Sequence, residues 1–476
     1  HPLRLMSAYT KLCEQGEEAL AEIAAITGFD RWFLHQLVKQ ADMDARLKSE
    51  PLSKELLLQA KAYGMSDRRI AKLTEKNEEE VRKTRTAEKI QEVSHHVDTC
   101  AGEFEALTPY CYTTYGEQDE TRPLGKDSVI ILASGPNRIG QGLEFDTCCT
   151  LSSLAYRKLG KKTIMVNSNP ETVSTDFNTS DRLYIEPLTA EHVLEIMHLE
   201  GTKNVVVQLG GQTPLNMADD LEAAGANIIG TALDGLDEAG DRERFSKLVR
   251  RLGLRNPANQ TAHNKEEIFS KAKLVGFPVL LRPSFVLGGR GMFIVDDEAG
   301  LQDFLDHSGV DISQKAPVLI DQFLEDAFEY DLDAVSDGKN LYIGGILQHI
   351  EAAGIHSGDS AAVFPPYKSR PEVLHQMREW ALKLAQALHV KGLMNIQFAS
   401  KEDTLYIIEV NPRGSRTIPF ISKTSGVNMV EAAVRVWNGE SLVQQGLVRE
   451  EGAIGEGHPL MGWAIKEAVF SFDRFS

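Results

Sequence analysis

Cysteine is scarce in this chain of 476 residues: five are present, Cys13, Cys100, Cys111, Cys148 and Cys149, none of them in C-x-x-C spacing. An odd count with two adjacent members is not a disulfide framework, and a reducing, cytoplasmic setting is expected. Positive charge is short as well. Lys and Arg number 51 against 69 Asp and Glu, a net charge of −18, which repels nucleic acid and leaves only local basic pockets as anion sites. No apolar run reaches the roughly 18 residues of a membrane span, and no basic stretch followed by an apolar one marks a signal peptide. The first residue is His1 rather than Met, so a fragment is expected, with Met6 as a candidate native start. What remains is the composition of a folded protein, 42% hydrophobic and 25% charged, long enough for roughly two to four domains.

From Glu17 to about Ile90 the pattern is helical. Leu20, Ile23 and Ala24 repeat at helical spacing, and Trp32, Phe33, Leu34, Leu37 and Val38 form the next apolar face. Ser66 and Asn77 read as N-caps, the second followed by Glu78, Glu79 and Glu80 in a first turn. Met65 to Arg85 could be taken for a DNA-binding helix-turn-helix, but an acidic chain with an acid run there favours plain helix packing.

At Lys126 the texture changes to strand, glycine turn and helix. Val129–Leu132 leads into a loop holding Gly135, Arg138, Gly140 and Gly142, and apolar helical spacing runs from Phe145 to Leu159. Further buried strands at 163–167, 204–208 and 228–230, separated by helices, predict a parallel sheet. The glycines lack the G-x-G-x-x-G spacing, and no ribose-binding acid closes the second strand, which disfavours a dinucleotide dehydrogenase. From Asp241 the pattern is α+β: a helix with Arg242 and Phe245, a strand ending at Arg282, a loop with Gly288, Gly289 and Gly291, and strands at 293–295 and 318–324. Glu329, Asp331 and Asp333 alternate along a strand, a pattern that suits a solvent-facing polar row or a place to hold cations. His349 and His356 flank an acid and serine cluster at Glu351, Ser357, Asp359 and Ser360, too polar and glycine-rich for a core loop.

The most informative strand is Thr404–Asn411. Period-two alternation puts Glu409 and Asn411 on one face and Val410 on the other. Gln397, on a preceding strand, adds a third oxygen of the kind that hard cations such as Mg²⁺ take alongside substrate phosphates. Pro412 ends the pairing, and Arg413 and Arg416 project from the exit as two permanent positive charges.

Taken together, GPNRIGQGLEFD (Gly135 to Asp146), NPETVSTDF (Asn169 to Phe177), GGQTP (Gly210 to Pro214), DRERF (Asp241 to Phe245), RPSFVLGGRGM (Arg282 to Met292), HIEAAGIHSGDSA (His349 to Ala361) and EVNPRGSRT (Glu409 to Thr417) resemble the ATP-grasp enzymes. Within them the resemblance is to the carbamoyl-phosphate synthetase large-subunit family, its oligomerisation domain followed by its C-terminal synthetic half. It implies an α/β and α+β multidomain protein: a helical oligomerisation domain at 1–125, a Rossmann-like pre-ATP-grasp domain at 126–240, an ATP-grasp domain at 241–440 and, at 441–476, a segment leading to an allosteric domain. Val97 to Ala106 also resembles the oligomerisation domain, whereas residues 1–12 resemble nothing identified.

The resemblance further implies ATP- and Mg²⁺- or Mn²⁺-dependent phosphorylation of carbamate to carbamoyl phosphate, serving arginine and pyrimidine biosynthesis. It makes Arg242 and Arg282 contacts of the nucleotide phosphates and Gln322 and Leu324 neighbours of adenine, Gln322 standing at a position open to histidine in relatives. Glu329 becomes a ribose-side ligand, and Gly354, Ile355, His356 and Ser357 line the same site. Gln397, Glu409 and Asn411 hold the metals, with Gln397 and Glu409 also meeting ATP. Arg413 and Arg416 meet the transferred phosphoryl group or the carbamate, and Glu329, Glu351 and Ser360 hold K⁺. The loop Gly288–Gly291 closes over the phosphates. Implied partners are an N-terminal synthetase half, a glutaminase small subunit and further copies of the chain, with neither nucleic acid nor membrane. Partial activity is expected of such a fragment; the alternatives are a nucleotide-binding oligomerisation module without turnover and another ATP-grasp ligase. A biotin-dependent carboxylase is the least suited, because NPETVSTDF and HSGDS do not match it.

Overall fold

The computed structural model describes residues 3–137, 142–283, 292–307, 312, 317–355, 357–457 and 462–469. Two compact units are present, one of residues 1–107, 111–123 and 191–200, the other of 108–110, 124–190 and 201–476. The expectations for Arg138, for the loop Gly288–Gly291 and for His356 lie outside the described residues.

The first unit is built on helices Arg4–Gln15, Leu20–Thr27, Arg31–Ser49, Lys54–Ala62, Asp67–Leu73 and Glu78–Ala87. The last four start at side chains that satisfy free backbone N–H groups. Ser66 accepts from Arg69 N, and Asn77 forms a capping box with Glu80. One core gathers Met43, Leu47, Leu57, Ile70 and Val81, another Leu12, Ile23, Leu34 and Val38. Trp32 and Phe33 depart from expectation: both are exposed and pack edge to face on each other, so the buried stripe of that helix begins only at Leu34. A short antiparallel pairing of Val93–His96 with Cys111–Thr114 adds β structure to this part. Arg85 is buried, ion-paired to Asp67 at 3.1 Å and to Glu195 at 2.8 Å, so it is committed to the interior and not offered to a phosphate backbone.

The second unit begins with a parallel sheet whose strands run in the order Arg182–Tyr184, Thr163–Val166, Val129–Leu132, Asn204–Val206, Asn227–Ile229. The central strands are buried on both faces, which explains their continuous apolar runs. Gly210 is obligatory after the fourth of these in the chain: a Cβ there would lie 2.6 Å from the carbonyl oxygens of Leu132 and Ala133. Next comes an antiparallel sheet in the order Phe293–Val295, Val279–Pro283, Val318–Gln322, Asn259–Ala262. A second antiparallel sheet runs Thr404–Asn411, Lys391–Lys401, Phe328–Asp337, Leu341–His349, Ala362–Phe364, Ala464–Lys466, and Ile454–Glu456 pairs in parallel with Leu341–Ile343. Helices Ile418–Ser425 and Met429–Trp437 pack on this sheet where Gly344 and Gly345 leave room; Cβ atoms there would meet Met429 and Ile421 at 2.5 and 2.7 Å.

Candidate active site

Along Thr404–Asn411 the buried residues are Leu405, Ile407 and then Val410. Strict alternation from Leu405 and Ile407 would send Glu409 and Asn411 into the core. A β-bulge prevents this: Phe398 pairs with Ile407 while Gln397 pairs with Glu409, leaving Ile408 as the extra residue. One inserted residue reverses the parity of everything after it. Glu409 is therefore exposed and Asn411 half-buried on the outer face, with Gln397 directly across the ladder from Glu409.

The strand exit is tightly specified. Asn411 Nδ2 donates to Glu409 Oε1 at 2.9 Å, and Arg413 Nη2 donates to Asn411 Oδ1 at 3.1 Å. The Arg413 guanidinium carbon lies 5.8 Å from the centroid of the Phe145 ring. Gly414 N donates to the carbonyl of Gln208 at 2.9 Å, joining this exit to the end of the parallel sheet. Burial disfavours the charged forms of Arg413 and Arg416, and nearby acids oppose that pull: Glu409 for Arg413, and Glu144, Asp359, Asp331 and Glu409 for Arg416.

A cleft of about 450 Å³ opens on this face. Its lining includes Arg242, Arg282, Gln322, Leu324, Glu329, Gly354, Glu409, Asn411 and Arg413, so residues expected at the two ends of a nucleotide triphosphate share one cavity. Ile355, Ser357, Gln397, Glu351, Ser360 and Arg416 are not among the lining residues. Ser357 and Ser360 are held from behind, their carbonyls accepting from Lys466 Nζ at 2.8 and 2.9 Å.

Asp321, also in the lining, has no role in the sequence analysis. Asp321 accepts from Arg242 Nη1 at 3.0 and 3.1 Å and from Arg282 Nε at 2.8 Å. This carboxylate forks two guanidinium groups from different elements toward the same cavity. Burial raises its pKa, and Arg282 pulls the other way. The available signal was an acid placed next to Gln322 on a strand otherwise apolar.

The row Glu329, Asp331 and Asp333 is not a solvent-facing one. Asp331 and Asp333 are buried, the first against His349 and the second against Asn395, Ser415 and Thr417. His349 sits between two of the acids, with Nε2 2.9 Å from Asp331 Oδ2 and Nδ1 3.4 Å from Glu329 Oε2. Burial opposes its charged form, but the two acids outweigh it and raise its pKa from the usual 6.5 to about 9. Glu329 Oε1 also accepts from Gly354 N at 3.2 Å. Asp333 takes hydrogen bonds from Asn395 Nδ2 at 2.9 Å, from Ser415 Oγ at 2.7 Å and from Thr417 Oγ1. Burial and the adjacent Asp331 push its pKa up to about 6, against these donors.

For a divalent cation, the outer face offers one carboxylate and two carboxamides. No group of three or more His, Cys, Asp and Glu able to hold a metal occurs among the described residues. A cation here would rest on Glu409, Asn411 and Gln397 plus oxygens of the substrate, a donor set that fits Mg²⁺ and its preference for few protein ligands.

Three family models match successive stretches of the chain. Residues 2–89 match a family model described as carbamoyl-phosphate synthetase large chain, oligomerisation domain; residues 125–238 match the carbamoyl phosphate synthase preATP-grasp domain; and residues 241–445 match the carbamoyl-phosphate synthase L chain, ATP binding domain. Residues 2–12, unidentified in the sequence reading, therefore fall within the first of these. The carbamoyl phosphate synthase large chain of Vibrio cholerae is 49% identical over 453 residues, 94% of this chain and 41% of its own length. That of Halomonas eurihalina is 49% identical over 460 residues, 96% of this chain and 42% of its own length. The chain thus spans about two fifths of the curated relatives it matches. Among solved structures, the biotin carboxylase domain of Hydrogenobacter thermophilus 2-oxoglutarate carboxylase, in complex with MgADP, ADP and bicarbonate, superposes with a TM-score of 0.53 at 22% identity, covering 66% of this chain and 70% of that one. N5-carboxyaminoimidazole ribonucleotide synthetase from Thermotoga maritima gives 0.51 at 14%, covering 71% and 79%. These two show a shared fold.

Proposed function

Because the chain belongs to the carbamoyl-phosphate synthase large-chain family, we propose that its cleft binds ATP with Mg²⁺ and transfers the γ-phosphoryl group to carbamate. The observation that carries this reading is the convergence of the Asp321 fork and the Glu409, Asn411, Arg413 exit on one cavity. In the reaction a carbamate oxygen forms a bond to the γ-phosphorus, the bond from that phosphorus to the β–γ bridging oxygen breaks, and ADP leaves with the electron pair. No nucleophilic side chain is required, so the protein's contribution is positioning and charge neutralisation.

Arg242 and Arg282 orient the nucleotide phosphates, Gln322 and Leu324 face the base, and Glu329 lies on the ribose side with Gly354, Ile355 and Ser357. Gln397, Glu409 and Asn411 hold Mg²⁺ or Mn²⁺, which when bound neutralises phosphate charge. Arg413 and Arg416 meet the charge that develops on the transferred group, a role worth roughly 10³-fold in rate for one arginine. Glu329, Glu351 and Ser360 are the candidates for K⁺. Supply of labile carbamate from an adjoining synthetase half and a glutaminase subunit, and self-association through the helical unit, belong to the same proposal.

The reverse half-reaction tests it. With MgCl₂, ADP and carbamoyl phosphate the chain should form ATP, and Glu409→Gln should lower the rate by roughly 10²-fold or more. MgADP binding by calorimetry without ATP formation would make the chain a nucleotide-binding module; a fully active Glu409→Gln variant would remove the metal assignment.

A further inference from the structure

The segment from Pro412 to Thr417, which carries Arg413 and Arg416, is fixed at both ends. The strand Thr404–Asn411 holds one end, and the helix Ile418–Ser425, seated over Gly344 and Gly345, holds the other. Between them a third attachment comes from far away in the chain. Asp333, with no exposed surface, accepts from Ser415 Oγ and Thr417 Oγ1, residues 82 and 84 positions later. Those two hydroxyls are also 2.9 Å apart. Asn395 fixes the carboxylate from the neighbouring strand and reaches Asp331 at 3.4 Å, and Asp331 in turn meets His349. A bulge opposite Asp333/Ala334 places its extra residue, Gly344, on the strand Leu341–His349, while the strand of Asp333 keeps its own alternation.

We propose that Asp333 is a positioning residue for phosphoryl transfer, setting Arg413 and Arg416 through the hydroxyls of Ser415 and Thr417. The proposal rests on the reaction assigned above. Ser415 lies between the two arginines, so a carboxylate that takes its hydroxyl and that of Thr417 fixes the backbone from which both guanidinium groups project. An acid suits this place and an amide does not. Three donors converge on the group, and only a carboxylate offers acceptors to all of them; Asn would turn an N–H₂ toward at least one of the three donors. Precise support beneath a charged site is what keeps its geometry within the tolerance that transfer demands.

The experiment compares the parent with Asp333→Asn, Ser415→Ala and Ser415→Thr in ATP synthesis from ADP and carbamoyl phosphate. Asp333→Asn should lower kcat by about 30-fold or more with the KM for ADP within threefold, and Ser415→Ala by about five- to tenfold. Ser415→Thr, which keeps the hydroxyl, should stay within threefold of the parent. A second readout needs no turnover: trypsin cleavage after Arg413 and Arg416, followed by mass spectrometry, should speed up at least tenfold in Asp333→Asn at a matched urea midpoint. If the parent forms no ATP, the reaction assignment falls, and the cleavage contrast alone decides whether Asp333 positions the segment. Parent-like kcat and parent-like cleavage in Asp333→Asn would overturn the proposal. So would an equal loss of ADP binding and of urea midpoint, the mark of a merely structural acid; should Asp333→Asn fail to fold, Ser415→Ala against Ser415→Thr decides by the same two readouts.

Discussion

Asp321→Asn perturbs the fork that aims Arg242 and Arg282 while changing almost no volume. Asp321 is buried, and its two oxygens take Arg242 Nη1 at 3.0 and 3.1 Å and Arg282 Nε and Nη2 at 2.8 and 2.7 Å. A hydrogen bond to a charged partner is worth about 1.5–3 kcal/mol. Arg242 retains a third of its side-chain exposure and Arg282 a fifth, so water compensates part of the loss and the net cost to stability should be about 2–3 kcal/mol. The functional effect is separable. Two guanidinium groups freed from one carboxylate gain net positive charge in the cleft but lose their aim. If aim dominates, MgADP affinity by calorimetry falls about tenfold or more, roughly 1.4 kcal/mol. If charge alone mattered, affinity would rise. An unchanged or tighter MgADP affinity in a folded Asp321→Asn variant refutes the reasoning that the fork orients the arginines.

Lys61, His349 and Ile408 give three further outcomes. Lys61 is buried against Asp67 at 3.1 Å, the Met65 carbonyl at 2.9 Å and Glu191, so Lys61→Ala removes the cation that Glu191 meets, leaves Asp67 to Arg85, and should cost about 3–5 kcal/mol in urea unfolding; a loss under 1 kcal/mol would contradict it. His349 has a folded pKa of about 9 against the usual 6.5. Its stabilising contribution is therefore complete below about pH 6.5 and lost as pH rises through about 9. The stability difference between the parent and His349→Asn should shrink by roughly 2–3 kcal/mol from pH 6.5 to pH 9.5, and a pH-independent difference would refute the pairing. Deleting Ile408 removes the bulge and turns Glu409 toward the core, so expression of folded protein should collapse; a stable variant with parent-like MgADP binding would show that the bulge is not what exposes Glu409.

Much of the site was legible because it depends on local rules. Alternation alone put Glu409 and Asn411 on one face, and the polar side chains of Ser66 and Asn77 marked helix starts that the structure bears out. The direction of that face was not legible, since it turns on one extra residue, Ile408, in a run where two adjacent isoleucines look like ordinary core. Asp331 and Asp333 suited a solvent row or a place to hold cations because the groups that meet them, His349, Ser415 and Thr417, stand 18 to 84 positions away. Asp321 went unnoticed for the same reason, its partners standing 79 and 39 positions away. Trp32 and Phe33 show the converse error: apolar residues at helical spacing extended a stripe that in the structure starts two residues later, at Leu34. Single-chain patterns report periodicity and composition, whereas long-range pairing of buried charges is a property of the tertiary fold.

The central claim, phosphoryl transfer in the cleft shared by Asp321, Glu409 and Arg413, is tested most directly by following phosphorus itself. In ³¹P NMR of the chain with MgCl₂, ADP and carbamoyl phosphate, the carbamoyl phosphate resonance should decline as the γ-phosphate resonance of ATP grows in equal amount, and Arg413→Ala should slow this roughly 10³-fold without abolishing MgADP binding. Saturation with MgADP while carbamoyl phosphate decays only to inorganic phosphate at its uncatalysed rate would contradict the account.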